Sequence, residues 1–475
     1  MATAVVVGSG PNGLAAAVTL AEAGVSVRVL EAQDAPGGGA RSSERTLPGL
    51  LHDDCSGFHP MGAASPFFRG QDLARYGLRW RWPEIQLAHP LDGGRAALLW
   101  RDLGRTVEGL GPDGRRWSET IGWTSRRFDR IAEEVLRPII HLPRHPFALA
   151  RFGSMAVTPA SVLARAFRTE AAKALFGGVA AHSFSRLTTP FSSAVGVMLA
   201  AAGHAVGWPV AEGGTQAITD ALVARLADLG GHVETSAVVT RIDDLRGADL
   251  VLLDTTPMAA ATILRGRLPS RVARSYRRFR QGPAAYKLDL AVEGPIPWSC
   301  EDVGRAGTVH LGGRFEEMVA AEDDMANGRM PERPFCLLGQ QYVADPSRSA
   351  SGLNPVYLYA HVPHGHGADV TDLLLDQVER FAPGFRARVR HVVATGPAGL
   401  HSANANYVGG DIAGGASDGL QVLFRPRIAL DPYSTGVDGV YLCSASTPPG
   451  AGVHGMGGYN AAVRALAGIG LRPHR

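Results

Sequence analysis

The chain has 475 residues, a length that fits two or three domains of ordinary size. Apolar residues make up 45% of the chain and charged residues 19%, which excludes a mainly disordered protein. The net charge of +3 is too small to predict nucleic acid as a partner. Glycine is abundant, with 59 residues, so we expect many sharp turns and close backbone approaches.

The four cysteines, Cys55, Cys300, Cys336 and Cys443, are scattered and form no C-x-x-C pair. This spacing predicts neither a dithiol redox centre nor a zinc ribbon, and it is typical of a reduced compartment. No secretory signal peptide is predicted, because the first apolar run has no basic segment before it. We therefore expect a cytoplasmic protein, with peripheral contact to a membrane left open.

The first predicted elements are an apolar strand over residues 4–7, a helix over 14–23 and a strand over 25–30. The turn between the first two has the spacing G-x-G-x-x-G. Its glycines permit a tight turn, close approach of a pyrophosphate, and close packing of helix on strand. In this strand–turn–helix context the spacing predicts a dinucleotide site. The predicted contacts are Gly8, Gly10, Pro11, Asn12 and Gly13.

Glu31 ends the second strand, where a carboxylate accepts hydrogen bonds from a ribose and disfavours the 2′-phosphate of NADP. A second glycine-rich segment, residues 36–42, follows almost at once and indicates which dinucleotide is bound. It resembles the segment that closes over the pyrophosphate in FAD proteins of the glutathione-reductase and amine-oxidase groups. The alternative is a flexible glycine loop with a surface arginine. The resemblance implies FAD contacts at Gly38, Gly39, Arg41 and Ser42.

The pattern changes between about residues 70 and 205, where arginine-rich and aromatic segments alternate with helical runs such as residues 159–176. The longest apolar stretch, residues 194–211, reaches the lower length limit for a membrane span. Because His204, Pro209 and glycines interrupt it, we predict a buried helix and loop.

Residues 213–254 return to the pattern of the first 30 residues. A glycine turn leads into an amphipathic helix over 218–229, followed by strands over 232–242 and 248–254. We predict that this second β-α-β-like piece joins the same sheet as the first strands.

Longer, alternating strands are predicted at 286–292 and 355–362, which indicates an antiparallel sheet. The last predicted elements are a strand over 440–443 and a helix over 459–467.

The predicted fold is therefore α/β, with a Rossmann-like FAD-binding domain of the glutathione-reductase type. An α+β substrate domain containing an antiparallel sheet is inserted into it twice. Residues 1–70, 205–280 and 415–475 form the discontinuous FAD-binding domain, and residues 71–204 and 281–414 form the substrate-binding domain.

The chain resembles phytoene desaturase-like FAD-dependent oxidoreductases, within the flavin amine oxidase superfamily. Four blocks carry the likeness, namely residues 8–13 with Glu31, 37–42, 213–242 and 439–462. The resemblance implies non-covalently bound FAD. It also implies that Val238 contacts the adenine and that Ala445 and Ser446 lie near the ribityl and pyrophosphate groups. Amides of Gly455 and Met456, at a helix N-terminus, would then face the flavin ring.

Two residues are candidates for catalysis. Lys287 is one of only two lysines among 47 basic residues, and its segment resembles the amine-oxidase strand whose lysine lies beside the flavin. His59 follows the pyrophosphate segment and has the side chain of a general acid or base. A solvated strand lysine and a loop histidine bonded to backbone are the alternatives.

The candidate substrate contacts are His182, Trp208 and Tyr407, of which Tyr407 would form an aromatic wall. A role in the core is the alternative for His182 and for His204. The cluster of His361, His364 and His366 has no neighbouring acidic or cysteine ligand, so no metal site is predicted.

The leading functional hypothesis is hydride removal from a largely apolar, lipophilic small molecule, by a phytoene desaturase-like enzyme. Because no second G-x-G-x-x-G follows a strand, oxygen or a quinone is the expected electron acceptor. The first alternative is an amine or amino-acid oxidase that releases hydrogen peroxide. The second is a flavin-dependent isomerase, or a protein that uses FAD structurally.

Overall fold

A computed structural model describes residues 2–473 of the chain. Its strands, in chain order, are β1 (Thr3–Val7), β2 (Ser26–Leu30), β3 (Ser42–Ser43), β4 (His52–Asp53), β5 (Trp80–Arg81), β6 (Ile85–Leu91), β7 (Arg95–Trp100), β8 (Val210–Ala211), β9 (His232–Glu234), β10 (Leu250–Leu253), β11 (Ala284–Glu293), β12 (Ala306–Leu311), β13 (Cys336–Gly339), β14 (Leu353–Val362), β15 (Val389–Thr395) and β16 (Val440–Leu442).

The first sheet is parallel, with the strand order β16-β10-β1-β2-β9. Its central strands are short and rich in valine and leucine, as expected for strands covered on both faces. The five strands come from three separate parts of the chain. Strands β9 and β10 join β1 and β2 in one sheet, which confirms the predicted return of the second β-α-β-like piece.

The second sheet has seven strands in the order β15-β11-β14-β13-β12-β6-β7. All neighbours in it are antiparallel except β12 and β6. The predicted antiparallel pair is present as β11 and β14, with Lys287 opposite Tyr359. Two-stranded ribbons, β3 with β4 and β5 with β8, join the surrounding loops.

Helices of seven or more residues are Pro11–Glu22, Leu103–Gly109, Phe128–Val135, Pro146–Ala156, Glu170–Ala181, Ser192–Ala205, Gln216–Asp228, Pro257–Ile263, Ser270–Arg277, Phe315–Ala326, Thr371–Glu379, Pro397–Ala403 and Met456–Gly468. Shorter helices are Pro60–Ala64, Pro66–Gly70, Gly114–Trp117, Trp123–Ser125, Ala160–Leu163 and Gln341–Ala344. The first helix begins with proline, and Gly24, with φ of +79°, follows its end.

Two predicted elements differ from the structure. The helix predicted over 159–176 is interrupted at Phe167, which is extended, and a new helix begins after Thr169. The carboxylate of Asp113 accepts the amides of Arg168 and Thr169 and so holds this break. The strand predicted over 232–242 ends at Glu234, and Ser236 has a left-handed backbone with φ of +55°.

The long apolar stretch forms the buried helix Ser192–Ala205, as predicted. Within residues 2–473, no single helix has both the length and the apolar character needed to cross a membrane. By length and composition alone, one bent pair, Pro146–Ala156 with 160–166, passes that test.

Candidate active site

A cavity of about 1080 Å³ connects the two sheets. One end is lined by Gly8, Gly10 and Glu31, at the carboxyl ends of β1 and β2. The other end is lined by Thr308 on β12 and Tyr359 on β14. Ligands of open parallel sheets bind at the carboxyl ends of the strands, so the cavity begins where a nucleotide site is expected.

The glycines of the first turn allow contacts that no side chain permits. A Cβ at Gly13 would lie 2.1 Å from the carbonyl oxygen of Gly8, so the helix can approach the strand only with glycine there. Gly8 itself has φ of +99°. Pro11 and Asn12 also line the cavity, at the helix N-terminus. The predicted strand, turn and helix therefore meet at the cavity.

Asp254 is a site residue that sequence analysis missed. It follows β10, lines the cavity, and its carboxylate accepts the amide of Gly13 at 2.9 Å. Burial and the nearby charge of Glu31 raise the pKa of Asp254 to about 7, although the Gly13 amide opposes the shift. The signal that could have indicated Asp254 was its position as an acidic residue directly after an apolar strand segment. Asp254 thus ties the glycine turn to a third strand.

Glu31 lies beside the same turn, as predicted, and its carboxylate already has partners. It accepts the amide and hydroxyl of Ser9 at 2.9 and 2.6 Å and the amide of Gln33 at 2.9 Å. The amide of Ala237 donates to the carbonyl oxygen of Glu31. Val238 follows, 66% exposed at the rim of the cavity and outside any strand.

The second glycine segment packs directly on the first. A Cβ at Gly38 would lie 3.1 Å from Cα of Gly10, and one at Gly39 would lie 2.0 Å from Oη of Tyr407. Tyr407 therefore walls the cavity at its cofactor end, not at its substrate end. Arg41 also lines the cavity, and its buried Nε has no protein partner among the described residues.

Ser42 differs from its neighbours, since it is not among the residues that line the cavity. It lies in β3, and its hydroxyl donates to Asp53 at 2.8 Å. The ribbon of β3 and β4 therefore engages the side chain that was predicted to contact FAD.

The C-terminal block, residues 439–462, also contains both residues that line the cavity and residues that do not. Ala445 and Ser446 line the cavity, and the Ser446 hydroxyl donates to the carbonyl of Gly414. Gly455 and Met456 do not line it. A Cβ at Gly455 would lie 2.8 Å from Cβ of Ala15, and the Met456 amide donates to His454 Nδ1. These two residues pack against the first helix, and their contact with the cofactor stays a prediction.

Arg425 is a second residue that sequence analysis missed. It is buried, lines the cavity, and donates to the carbonyl of Ala445 at 3.1 Å. Within residues 2–473, no carboxylate lies within salt-bridge distance of it. Burial lowers its pKa from the usual value, and the charge of Asp411 opposes this. Nothing distinguishes Arg425 from the many other arginines in the sequence.

His59 lies in the cavity wall, as predicted, and it is buried. Its Nε2 lies 2.9 Å from the hydroxyl of Thr215, which donates its own hydrogen to the carbonyl of Ser56. Nε2 must therefore carry the proton and donate it, which leaves Nδ1 with a free lone pair. Burial lowers the pKa of His59 to about 4, with Asp53 opposing and Arg348 adding to the shift, so the ring is neutral near pH 7.

Lys287 is not part of the cavity lining, which argues against the predicted role beside the flavin. Its ammonium donates to the backbone carbonyl of Asp53 at 2.9 Å and to Asp289 at 2.5 Å. Asp289 is two residues along β11 and so lies on the same face of the sheet. Burial would raise the pKa of Asp289, but Lys287 and His52 lower it to about 2. Lys287 therefore belongs to a buried ion pair behind the cavity wall.

The far end of the cavity has an aromatic and apolar wall. Trp208, His182, Leu337, Tyr357 and Tyr359 line it. The rings of His182 and Trp208 meet edge to face, with centroids 5.5 Å apart. The structure therefore brings together two of the three predicted substrate contacts.

Two further histidines, His204 and His361, have structural partners. His204 accepts the indole N–H of Trp117 at 3.0 Å in the core, and His361 bonds to Glu322 at 2.8 Å. Over the part of the chain that the structure describes, no group of three metal-ligating side chains occurs.

Comparison with known proteins gives three kinds of likeness. The family model described as "NAD(P)-binding Rossmann-like domain" matches residues 6–70. A phytoene desaturase (lycopene-forming) from Paracoccus sp. is 27% identical, over 96% of this chain and 95% of that protein.

Among solved structures, an oxidoreductase from Methanosarcina mazei has a TM-score of 0.65 at 16% identity, covering 98% of this chain and all of its own. A putrescine oxidase bound to putrescine has a TM-score of 0.61 at 16% identity, covering 98% of each chain. These structural likenesses show the fold. Together the comparisons confirm the predicted resemblance.

Proposed function

We propose that this chain, a phytoene desaturase-like flavin oxidoreductase, removes hydride from a largely apolar organic molecule with non-covalently bound FAD. The observation that carries the proposal is that one continuous cavity reaches both sheets. Its near end is built from glycine turns that lead to a helix N-terminus, and its far end is aromatic and apolar. A site of this form holds a dinucleotide and a lipophilic molecule end to end.

The residues at the near end fit FAD. Gly8, Gly10 and Gly13 pack against Asp254 and the Gly8 carbonyl more closely than any Cβ allows, which holds the helix N-terminus at the cavity, where it favours a pyrophosphate. The unpartnered Nε of Arg41 and the buried guanidinium of Arg425 offer positive charge. When bound, FAD supplies the acceptor for the hydride.

The chain's own residues position the substrate and exclude water. The aromatic wall at the far end favours apolar molecules, because burying apolar surface is favourable by about 25 cal/mol per Å². His59 offers Nδ1 as the acceptor for a proton or a hydrogen bond, with Thr215 fixing its tautomer.

The carboxylates of the cavity favour an apolar substrate over an amine. Those among its described lining residues are Glu31, Glu134 and Asp254. Glu134 is bonded to Arg137 at 2.5 Å and to His141 at 2.6 Å, so its charge is compensated. Glu31 and Asp254 lie at the cofactor end. No free carboxylate in this lining is therefore available at the far end for an ammonium group.

The finer architecture is part of the same proposal. We infer a glutathione-reductase-type FAD domain of residues 1–70, 205–280 and 415–475, and a substrate domain of 71–204 and 281–414. The strands of the parallel sheet all come from the first set of segments, and those of the seven-stranded sheet from the second, which supports this division.

We further propose oxygen or a quinone as the electron acceptor and a cytoplasmic location with peripheral membrane contact. Exposed apolar side chains support the contact. Leu142 and Phe147 are 90% and 91% exposed, close in sequence to Ile139, which lines the cavity and is half exposed. Vesicles of neutral lipid should retain the wild-type protein on sedimentation, and should release a Leu142→Ser/Phe147→Ser variant.

The proposal is tested by the visible absorption of the purified protein and its anaerobic bleaching. We expect a flavin spectrum that isoprenoid polyenes bleach and that simple amines leave unchanged. Bleaching by amines with release of hydrogen peroxide would support the oxidase alternative instead. A colourless protein that FAD does not stabilise against heat would contradict the desaturase, oxidase and isomerase hypotheses and a structural role for FAD.

A further inference from the structure

The far end of the cavity, where Ser183, Tyr357 and Tyr359 also carry hydroxyls, holds two further polar side chains. Thr308 lines the cavity and is buried, and its hydroxyl has no partner among the described residues. His182, at the C-terminal end of helix Glu170–Ala181, lines the same region. The two are linked through His310, which bonds to His182 and lies two residues after Thr308 on β12. Buried hydroxyls are nearly always hydrogen-bonded, so an unpartnered one in a cavity wall points to a ligand.

Buried histidines behind this wall determine which nitrogen of His182 carries a hydrogen. Nε2 of His182 lies 2.9 Å from Nε2 of His310. Behind His310, Nε2 of His89 lies 2.8 Å from the carbonyl oxygen of Gly313. A carbonyl only accepts, so His89 carries its hydrogen on Nε2 and its Nδ1 is a bare acceptor. Burial lowers the pKa of His89 to about 4 and that of His182 to about 3, so both rings are neutral.

The remaining nitrogens are Nδ1 of His89 and Nδ1 of His310, both buried without a hydrogen-bond partner. A Cβ at Gly178 would lie 2.7 Å from each of them, so the two nitrogens flank the same glycine. If neither carried a hydrogen, two buried lone pairs would face the same glycine and repel each other, which a hydrogen on one of them avoids. The favoured arrangement puts a hydrogen on Nδ1 of His310. Its Nε2 then accepts from His182.

His182 therefore presents Nδ1 as a hydrogen-bond acceptor at the same end of the cavity as the Thr308 hydroxyl, which has a hydrogen to donate. We propose that this end of the cavity is a subsite for a hydroxyl group, and that the substrate is an apolar alcohol. Its O–H donates to Nδ1 of His182 and its oxygen accepts from Thr308. The subsite rests on the proposed function and names the substrate class for it.

Binding of short probes to the holoenzyme tests the subsite without any turnover. The probes are octan-1-ol, its size-matched methyl ether 1-methoxyheptane, octane and octylamine, titrated by calorimetry. The alcohol can both donate and accept, the ether can only accept, and the hydrocarbon can do neither. We expect the dissociation constant to be about tenfold lower for the alcohol than for the ether, and lowest affinity for octane.

Two variants separate the two contacts. Thr308→Val keeps the shape and removes the donor, so the ether should bind no better than octane while the alcohol keeps part of its advantage. His182→Phe removes the acceptor, so the alcohol should bind no better than the ether. Thr262→Val is the matched control, because Thr262 lines the opposite end of the cavity and its hydroxyl donates to Met258. It should leave the order of the four probes unchanged.

The histidine arrangement has its own readout. Long-range ¹H–¹⁵N spectra of holoenzyme labelled at histidine should show Nδ1 of His182 without a hydrogen. In His89→Leu the acceptor beside His310 is lost, so the hydrogen of His182 should move from Nε2 to Nδ1. A merely structural role for His89 would leave the tautomer of His182 unchanged.

Equal binding of alcohol, ether and hydrocarbon would overturn the subsite, as would a uniform loss in Thr308→Val. Tighter binding of octylamine than of octan-1-ol would also overturn it and would favour the oxidase alternative. Failure of the proposed function appears differently, as a flavin that no apolar molecule reduces although the alcohol binds. The visible flavin spectrum of each variant verifies that it is folded.

Discussion

The two ends of the cavity are built in different ways. The cofactor end is made of backbone, because glycine turns bring strand, helix and loop within distances that only a missing Cβ allows. The far end is made of side chains from β12, β13 and β14 and from segments that follow two helices, which are distant in sequence. Backbone sites depend on local spacing, whereas side-chain sites depend on tertiary packing. The two ends should therefore respond to substitution in different ways.

The largest effect is expected at the cofactor end, from Gly13→Val. The new side chain would meet the carbonyl oxygen of Gly8 at a distance that no rotamer relieves. We expect the affinity for FAD to fall at least about 100-fold, because the helix must move away from the strand. Titration of flavin-free protein with FAD measures it. Gly109→Ala is the control, since a Cβ at Gly109 meets nothing within 4 Å. Equal losses of FAD affinity in the two variants would show that close packing at Gly13 is not needed for FAD binding.

The next effect tests the boundary between the two ends. Arg348 and Asp53 form a buried pair at 2.6 Å, and Asp53 also accepts the amide of Thr215, whose hydroxyl bonds to His59. Burial would raise the pKa of Asp53, but Arg348 lowers it.

Arg348→Met should therefore lower the free energy of unfolding by about 3–5 kcal/mol, because Asp53 is left buried and unpaired. Urea unfolding measures it. Arg305→Met, which breaks an exposed pair with Glu84, should cost much less, because solvent screens that pair. Similar losses of unfolding free energy in the two variants would contradict the assignment of Arg348 and Asp53 as a buried ion pair.

A smaller, pH-dependent effect is expected at Asp254. Its pKa of about 7 in the folded chain lies above the ordinary 3.8, so the folded chain keeps a proton that the unfolded chain releases. The stability that this proton contributes is present below the ordinary pKa and is lost as the pH rises towards 7.

Relative to Asp254→Asn, the wild-type flavin-free protein should therefore lose up to a few kcal/mol of stability between pH 4 and pH 7. Thermal unfolding of both proteins across this range measures the difference. A constant difference would show that Asp254 is charged throughout.

The smallest effect on the flavin is expected from Lys287→Met. Because its ammonium is engaged with Asp289 behind the wall, we expect the rate of flavin reoxidation in air to stay within about twofold of wild type. Stopped-flow absorption measures the rate, and Lys173→Met, at the other lysine, is the control. A tenfold slower reoxidation would return Lys287 to the catalytic site.

The sequence allowed the cofactor end to be predicted and left most of the far end hidden. Residues 8–13 and 37–39 could be recognised because the physics of a tight turn requires glycine at fixed spacing. Asp254 and Arg425 could not be predicted as site residues, because a single acid or arginine carries no spacing signal. For Lys287, rarity in the composition carried no information about the neighbour of its charge, which is Asp289. His310 meets His182 only through the packing of a helix end on β12, which no local pattern predicts.

The parallel sheet has a consequence for how the protein is made. Strand β1 pairs with β10, β10 pairs with β16, and the first helix packs against Met456–Gly468. Contacts this distant in sequence form late and slowly. The glycine turn emerges first during synthesis, yet its supporting strand and helix emerge hundreds of residues later. We therefore expect flavin to bind only after the C-terminal strand and helix have joined the sheet.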